Sequence, residues 1–220
     1  MESLAKYIDH TFLGQAGSRD AVRRLCREAA KCGFASVCVN PAEVALAARL
    51  LDGSDVKVCT VVGFPLGQST TAVKVAEALD AIRNGARELD FVVNVRLLKY
   101  EPAACLAELK VLAGSVAAAD PGVVTKLIIE CCLLTDAEKR RACRLAKKAG
   151  FGFVKTSTGF STGGATVEDV RLMRKAVGRK MGVKAAGGIR DREKALAMIE
   201  AGASRIGSSA GVAICGGGAQ

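Results

Sequence analysis

The sequence has 220 residues, half of them hydrophobic and a quarter charged, which predicts one folded domain over 1–220 and excludes an intrinsically disordered chain. Charges interrupt each apolar run before it reaches the ~18 residues of a membrane span, so we expect no membrane partner. The formal net charge of +10 is compatible with nucleic acid or small anions as partners. Because the basic residues are spread along the chain, we interpret them as solvated helix faces and expect no nucleic-acid partner.

Short apolar runs alternate with amphipathic stretches along the whole chain, which is the pattern of strands followed by helices. In chain order the predicted strands are 7–12, 34–39, 56–63, 87–95, 123–131, 152–156, 181–186 and 204–207. Helices are predicted at 18–32, from 41, at 69–84, at 102–119, from 136, from 167 and at 191–201. Thr135, with Glu138 three residues later, predicts a capping box at the start of the fifth helix.

Eight strand-and-helix units fit a closed barrel better than an open sheet. Near-continuous Val, Ile and Leu strands indicate a parallel sheet buried on both faces. Units of about 27 residues are close to the minimum for a βα repeat. The rival, a doubly wound open sheet, usually carries GxGxxG after its first strand, and that motif is missing here. The predicted fold class is therefore α/β, a TIM (β/α)8 barrel in a single domain.

Charged or reactive side chains interrupt several strands that otherwise consist of apolar residues. In a barrel the catalytic groups lie at the carboxyl ends of the strands. An unpaired buried charge is costly, so one interpretation is a structural ion pair between Asp90 and a lysine. Two lysines and an aspartate on middle and late strands favour catalysis instead. The candidates are Asp9, Cys38, Asp90, Asn94, Lys126, Glu130, Lys155 and Lys184.

Lys155 and Lys184 are predicted on neighbouring strands, close enough for their amines to influence each other. A lysine that titrates near ~10.4 is protonated at neutral pH and is then a poor nucleophile. A second ammonium group and a dry pocket both favour the neutral amine, which attacks a carbonyl and forms a Schiff base. The protonated imine draws electrons from the adjacent carbon, as carbon–carbon bond cleavage requires. Asp90, alone or through water, then moves the proton.

Three glycine-rich runs follow the last three predicted strands, at 156–164, 186–190 and 207–211. Backbone amides bared by glycine, hydroxyl donors and a helix N-terminus together bind anions. One such run is usually a tight turn, but the loops after strands seven and eight of a barrel are a frequent phosphate site. The three runs together predict a phosphorylated substrate.

Several segments resemble those of the deoxyribose-phosphate aldolase family, class I aldolases built on a TIM barrel. The KTSTGF segment and the K-x-A-G-G-I-R segment are together the most specific of them. The matching segments run nearly end to end: IDHT at 8–11, VCVNP at 37–41, TVVGFPLG at 60–67, ELD at 88–90, IIE at 128–130, FVKTSTGF at 153–160, VKAAGGIR at 183–190 and RIGSS at 205–209.

This resemblance implies reversible cleavage of 2-deoxy-D-ribose 5-phosphate into D-glyceraldehyde 3-phosphate and acetaldehyde. It implies that Lys155 forms the Schiff base, that Lys184 favours the neutral amine of Lys155, and that Asp90 donates and accepts the proton. No metal or organic cofactor is implied. The implied substrate-binding residues are Asp9, Cys38, Thr158, Gly159, Gly187, Gly188, Gly207, Ser208 and Ser209, of which the glycines and serines hold the phosphate and Asp9 and Cys38 lie near the hydroxyls.

Two positions depart from the family pattern. Some members carry a C-terminal tyrosine that helps proton transfer, whereas this sequence ends GGGAQ at 216–220. Proton transfer would then rest on Asp90, Lys184 and water, at a lower rate. A cysteine also follows Glu130 where Thr or Gly is expected, and the vicinal pair Cys131–Cys132 is either core packing or a site of oxidation.

The cysteine count and the N-terminus indicate a reducing compartment. The nine cysteines have no paired CxxC spacing, and His10 is the sole histidine, so no Cys/His zinc pattern exists. The first residues lack the layout of a secretory signal. We therefore expect buried free thiols in the cytoplasm, and a homodimer because barrel enzymes often associate.

Two alternative functions stay open. Another class I barrel lyase acting on a different sugar phosphate would share the Schiff base and the phosphate site. A non-catalytic binder of phosphosugars or nucleic acid would use the net charge of +10 and would bind in a salt-sensitive way. Such a binder leaves Lys155 and Lys184 unexplained, because it needs no nucleophilic amine.

Overall fold

Eight parallel strands close into a barrel in the computed structural model, which describes residues 3–216. Each strand pairs with the next, and the eighth pairs with the first. The predicted TIM barrel is therefore confirmed. The strands are β1 (Ile8–Phe12), β2 (Ser36–Val39), β3 (Lys57–Val62), β4 (Glu88–Val92), β5 (Val124–Ile128), β6 (Phe153–Lys155), β7 (Gly182–Ala186) and β8 (Arg205–Ser208).

At least one helix follows every strand of the barrel. Thr135 and Glu138 form the predicted capping box, in which Thr135 Oγ1 accepts from the Glu138 amide and the Glu138 carboxylate accepts from the Thr135 amide at 2.8 Å. The helices are α1 (Arg19–Cys32), α2 (Val44–Leu50), α3 (Thr71–Arg83), α4 (Val95–Tyr100), α5 (Pro102–Ala119), α6 (Asp136–Ala149), α7 (Val167–Val177), α8 (Arg192–Glu200) and α9 (Gly211–Ile214).

The fourth and fifth strands end earlier than the sequence pattern predicts. Residues 93–95 leave β4 because the Asn94 side chain accepts from the Leu97 amide at 3.1 Å and so begins α4, a helix that the apolar pattern did not predict. Residues 129–131 leave β5 because Glu130 has a φ of 55°. A 3-10 turn at Cys131–Leu133 follows it. Both corrections place a polar side chain at the barrel mouth.

Alternate residues of each strand face the outer helices and the barrel interior. In β4, Leu89 and Phe91 belong to the main apolar core between sheet and helices. Glu88 and Asp90 occupy the alternate positions of the same strand and are also buried. The barrel interior therefore holds charged groups where a packed barrel usually has aliphatic layers, and this interior is where the site lies.

The helix α5 is a long apolar run that two charges interrupt, Glu108 and Lys110, as expected from the sequence. It is 18 residues long with a mean hydropathy of 1.4, so by length and composition it could cross a membrane. In the structure it packs against α3 and α6 and buries Leu109 and Leu112. Its Glu108 pairs with the buried Lys74 of α3 at 3.3 Å. It is thus one helix of the layer outside the barrel.

Candidate active site

Two lysines and one aspartate meet inside the barrel. Lys155 of β6 and Lys184 of β7 are register partners on neighbouring strands. Each Nζ donates to the same atom, Asp90 Oδ2, at 2.8 Å. All three side chains are almost completely buried. The sequence-based expectation that these amines approach each other agrees with this geometry, in which one carboxylate oxygen bridges them.

Further charged groups extend this cluster toward the opposite end of the barrel. Lys126 donates to Asp90 Oδ1 at 2.9 Å and to Glu88 at 2.6 Å. Lys184 Nζ lies 2.6 Å from Asp9 Oδ2, which receives no hydrogen bond, so this contact is electrostatic. Arg205 then joins Asp9 to Glu88. The whole cluster is one connected network of ion pairs.

The network contains more cations than carboxylates. Its four basic residues are Lys126, Lys155, Lys184 and Arg205, and its three acids are Asp9, Glu88 and Asp90. Buried charge is tolerated where it is balanced and hydrogen-bonded. Loss of one proton from one of the basic residues would therefore bring the network to neutrality.

The ionised state of most of these groups is fixed by their neighbours. Burial by itself would raise the pKa of Asp90, but the ammonium groups of Lys126, Lys155 and Lys184 outweigh burial and hold this pKa well below its usual range. Burial likewise opposes the charge on Lys184, yet the carboxylates of Asp9 and Asp90 raise the pKa of Lys184. Asp90 is therefore a carboxylate and Lys184 an ammonium at neutral pH.

A cavity of about 230 Å³ lies above the network at the carboxyl ends of the strands. Among the described residues of the network, Lys155 is the one that lines it. Asp90 and Lys184 lie beneath the cavity. Lys155 therefore connects the buried charges to the space that a small molecule can enter. The lining consists of Thr11, Leu13, Lys155, Thr158, Gly159, Phe160, Ala186, Gly187, Gly188, Ile189, Arg190, Gly207, Ser208 and Ser209.

The structure brings seven of the nine predicted substrate-binding residues to this cavity. Gly187 and Gly188 have φ values of 92° and 72°, a region that L side chains rarely adopt. The Ser208 hydroxyl donates to the Ile189 carbonyl at 2.6 Å, which ties the loop after β8 to the loop after β7. The seven are Thr158, Gly159, Gly187, Gly188, Gly207, Ser208 and Ser209.

The other two predicted substrate-binding residues, Asp9 and Cys38, lie below the cavity and are fully buried. Cys38 packs beside its register partner Cys59, whose thiol contacts Asp90 Oδ1 at 3.3 Å. One atom each of Cys38, Cys59 and Asp90 could ligate a metal ion, and these three atoms lie within 4.8 Å of one another. The three ammonium groups around Asp90 disfavour a metal cation at this place.

Glu130 organises the loop that follows β6. Its carboxylate accepts a hydrogen bond from the Thr158 hydroxyl and, at 3.3 Å, one from the Thr158 amide. The Thr158 Oγ1 in turn accepts from the Phe160 amide at 3.0 Å. The sequence pattern marks Glu130 as a strand-end candidate and assigns it no role. In the structure its carboxylate fixes Thr158, which lines the cavity. Asn94, by contrast, serves as a helix cap.

Sequence reasoning missed Glu88 and Arg205. Glu88 lies two residues before Asp90 in the same strand, so the alternation of side chains could have placed both on the interior face. Arg205 of β8 reaches Glu88 of β4 at 2.6 Å across the barrel interior, a contact between distant strands that has no local signal. Arg190, which directly follows the predicted glycine run, also lines the cavity.

The closed barrel with one lysine amine at the floor of its mouth defines an enzyme of the (β/α)8 class, which works at the carboxyl ends of its strands. The model of the family described as DeoC/LacD family aldolase matches residues 3–217. The chain therefore belongs to the DeoC/LacD family of aldolases and is a lyase.

Known relatives agree with this membership. A deoxyribose-phosphate aldolase of Clostridium perfringens strain SM101 is 56% identical over 216 residues, which are 98% of this chain and 96% of the relative. That of Streptococcus pneumoniae serotype 19F is 59% identical over 211 residues, 96% of this chain and 94% of the relative. The solved structure of a tetrameric deoxyribose phosphate aldolase from Aeropyrum pernix has a TM-score of 0.89 at 36% identity, and the match covers 97% of this chain and 89% of that one.

Proposed function

We propose that this protein reversibly cleaves 2-deoxy-D-ribose 5-phosphate into D-glyceraldehyde 3-phosphate and acetaldehyde through a Schiff base on Lys155. One observation carries the proposal: Lys155 shares an oxygen with a second buried ammonium group and also lines the cavity. The relatives named deoxyribose-phosphate aldolase support the choice of substrate.

The nucleophile is the neutral amine of Lys155. Two ammonium groups on one carboxylate oxygen repel each other, and the ammonium of Lys184 is fixed by Asp9 and Asp90. Loss of the Lys155 proton removes this repulsion and leaves three cations facing three carboxylates. This neutral amine is the form of Lys155 that attacks a carbonyl.

Each step of the reaction balances atoms and charge. The amine attacks C1 of the open-chain sugar, and uptake of one proton with loss of water leaves a protonated imine. A base removes the proton of the C3 hydroxyl, the C2–C3 bond breaks, and its electron pair forms an enamine as D-glyceraldehyde 3-phosphate leaves. The enamine takes a proton at C2, and water then hydrolyses the protonated imine to acetaldehyde, the free Lys155 amine and one proton.

Asp90 is the proposed donor and acceptor of the moving proton. It already accepts from Lys155 at 2.8 Å, but it does not line the cavity, so it acts on the substrate through water. Lys184 is the fixed charge beside it. Residues 217–220, where some family members carry the tyrosine, lie outside the described residues.

The remaining groups hold the substrate. The glycine and serine loops after β6, β7 and β8 bind the phosphate, and Asp9 and Cys38 shape the floor below the sugar hydroxyls. No cofactor takes part in this scheme. We further propose that the enzyme acts in the cytoplasm, in the breakdown of deoxyribose from deoxyribonucleotides, as one barrel domain per chain in a homodimer.

The test is a cleavage assay that follows D-glyceraldehyde 3-phosphate release from a panel of sugar phosphates. We expect 2-deoxy-D-ribose 5-phosphate to be cleaved with the highest kcat/KM, and Lys155→Arg to reduce turnover at least about a thousandfold. Lys148→Arg, at an exposed site on α6, is the control. A higher kcat/KM for another sugar phosphate would make the protein a different lyase. Full activity of Lys155→Arg would refute the nucleophile.

A further inference from the structure

The mouth of the cavity has an apolar side and a basic side. Phe160 is 48% exposed and packs edge to face on Phe64, with ring centroids 5.1 Å apart. Among the described residues that line the cavity, the basic ones are Lys155 and Arg190. Because Lys155 is the proposed nucleophile, the lining leaves one side-chain cation for a phosphate monoester that carries nearly two negative charges at neutral pH.

Lys194 lies next to this basic side, in the first turn of α8. Side chains on a helix point back toward its N-terminus, and this one reaches back over the loop after β7. Its Nζ is 3.6 Å from the place that a Cβ on Gly188 would occupy. Lys194 is half-buried. Within residues 3–216, no carboxylate forms an ion pair with it.

A second cavity, of about 410 Å³, joins Lys194 to the first one. It is lined by Lys194 together with the loop at 161–166. Gly159, Gly187 and Gly188 line both cavities. Since glycine has no side chain, nothing on Gly188 separates the ammonium group from an anion held by the backbone amides of this loop. The ammonium therefore lies at the border of the predicted phosphate site.

We propose that Lys194 is a specificity-determining residue that binds the phosphate group of the sugar substrate from the α8 side. This assignment rests on the proposed function for the identity of the sugar. The recognised chemistry is a phosphate monoester dianion, shared by Lys194, Arg190 and the amides of the glycine loops. A neutral sugar gains nothing from Lys194, so the residue selects phosphorylated over unphosphorylated substrates.

The first test measures binding of inorganic phosphate by titration calorimetry, without any turnover. We compare the wild type with Lys194→Ala and Lys194→Arg, and with Lys148→Ala as a matched change of an exposed lysine. Loss of one charge-assisted contact should weaken phosphate binding about tenfold in Lys194→Ala. Lys194→Arg and Lys148→Ala should bind as the wild type does. The difference in phosphate affinity between the wild type and Lys194→Ala should become smaller in high salt, which screens the charge.

The second test compares 2-deoxyribose 5-phosphate with unphosphorylated 2-deoxyribose. The ratio of their kcat/KM values should fall about tenfold in Lys194→Ala, through the KM of the phosphorylated sugar. Unchanged phosphate affinity, or an equal loss for both sugars, would overturn the role of Lys194. Absence of cleavage in the wild type would overturn the proposed function alone, because the calorimetric comparison still decides the role of Lys194.

Discussion

Lys155 and Lys184, register partners on β6 and β7, donate to one oxygen of Asp90, each at 2.8 Å. The two amines differ in one respect that decides their roles. Lys184 is 0% exposed and has Asp9 as a second carboxylate partner, whereas Lys155 lines the cavity. Lys184 is therefore held as an ammonium beneath the cavity, whereas the Lys155 amine faces the cavity.

Lys184→Met should slow Schiff-base formation at neutral pH about tenfold or more, because the Lys155 amine no longer has a cation beside it. The measurement is the rate of trapping with acetaldehyde and borohydride over a range of pH. Circular dichroism checks the fold, since the change leaves Asp9 and Asp90 with fewer partners. A variant with the wild-type rate and pH profile would refute this role.

Asp9→Asn should destabilise the protein by about 3–5 kcal/mol at neutral pH, because Lys184 and Arg205 lose a buried partner. Although burial opposes its charge, Lys184 and the other cations lower the folded-state pKa of Asp9. Its contribution to stability is therefore present above the unfolded value of ~3.9 and is lost as the pH falls toward the folded value. In urea unfolding, the difference in the free energy of unfolding between wild type and variant should become smaller below pH ~4. A difference in the free energy of unfolding that does not change with pH would contradict the role of Asp9 as a charged member of the network.

Glu130 offers a matched pair of variants. Glu130→Ala and Glu130→Gly both remove the carboxylate that holds Thr158, so both should raise KM. Only the glycine tolerates the φ of 55° without strain, so Glu130→Gly should be about 1 kcal/mol more stable than Glu130→Ala. Thermal unfolding and substrate titration measure the two effects. Equal stability of the variants would show that the left-handed conformation costs nothing here.

Gly164→Ala should weaken phosphate binding. A Cβ on Gly164 would lie 2.4 Å from the Gly187 carbonyl oxygen, so the loop after β7 must move. We expect a loss of about 1–3 kcal/mol in stability together with a higher KM for the phosphorylated substrate. The control is Gly114→Ala in α5, where a Cβ meets nothing within 4 Å. It should stabilise the protein by about 0.5–1 kcal/mol and leave KM unchanged.

The barrel and the two interior lysines, Lys155 and Lys184, were predictable from the sequence because both leave a local signal. Eight apolar runs predict the strands, and a lysine inside such a run, as at Lys155, stands out against its neighbours. The partners of these lysines were harder to predict from the sequence. Arg205 reaches Glu88 across the closed barrel, from a strand four places away, and Glu130 adopts a left-handed backbone conformation that is unusual for its residue type.

Residues near the proposed phosphate site also differ in how far the sequence predicts them. The glycine runs identified the loops because bare amides are a property of the sequence itself. Lys194 lies on a helix whose sequence pattern is that of an ordinary solvent-exposed helix. Its position over Gly188 depends on how α8 packs against the barrel. Interactions between distant elements of this kind follow from the packed fold and cannot be read from periodicity.

The most direct test of the mechanism is borohydride reduction in the presence of acetaldehyde, followed by intact-mass measurement and peptide mapping. The Schiff base is expected at Lys155 because this amine lines the cavity while Lys184 lies beneath it. We predict a single ethyl group on Lys155 and none in Lys155→Arg. An ethyl group on another lysine, or no adduct on the folded protein, would contradict the assignment of Lys155 as the nucleophile.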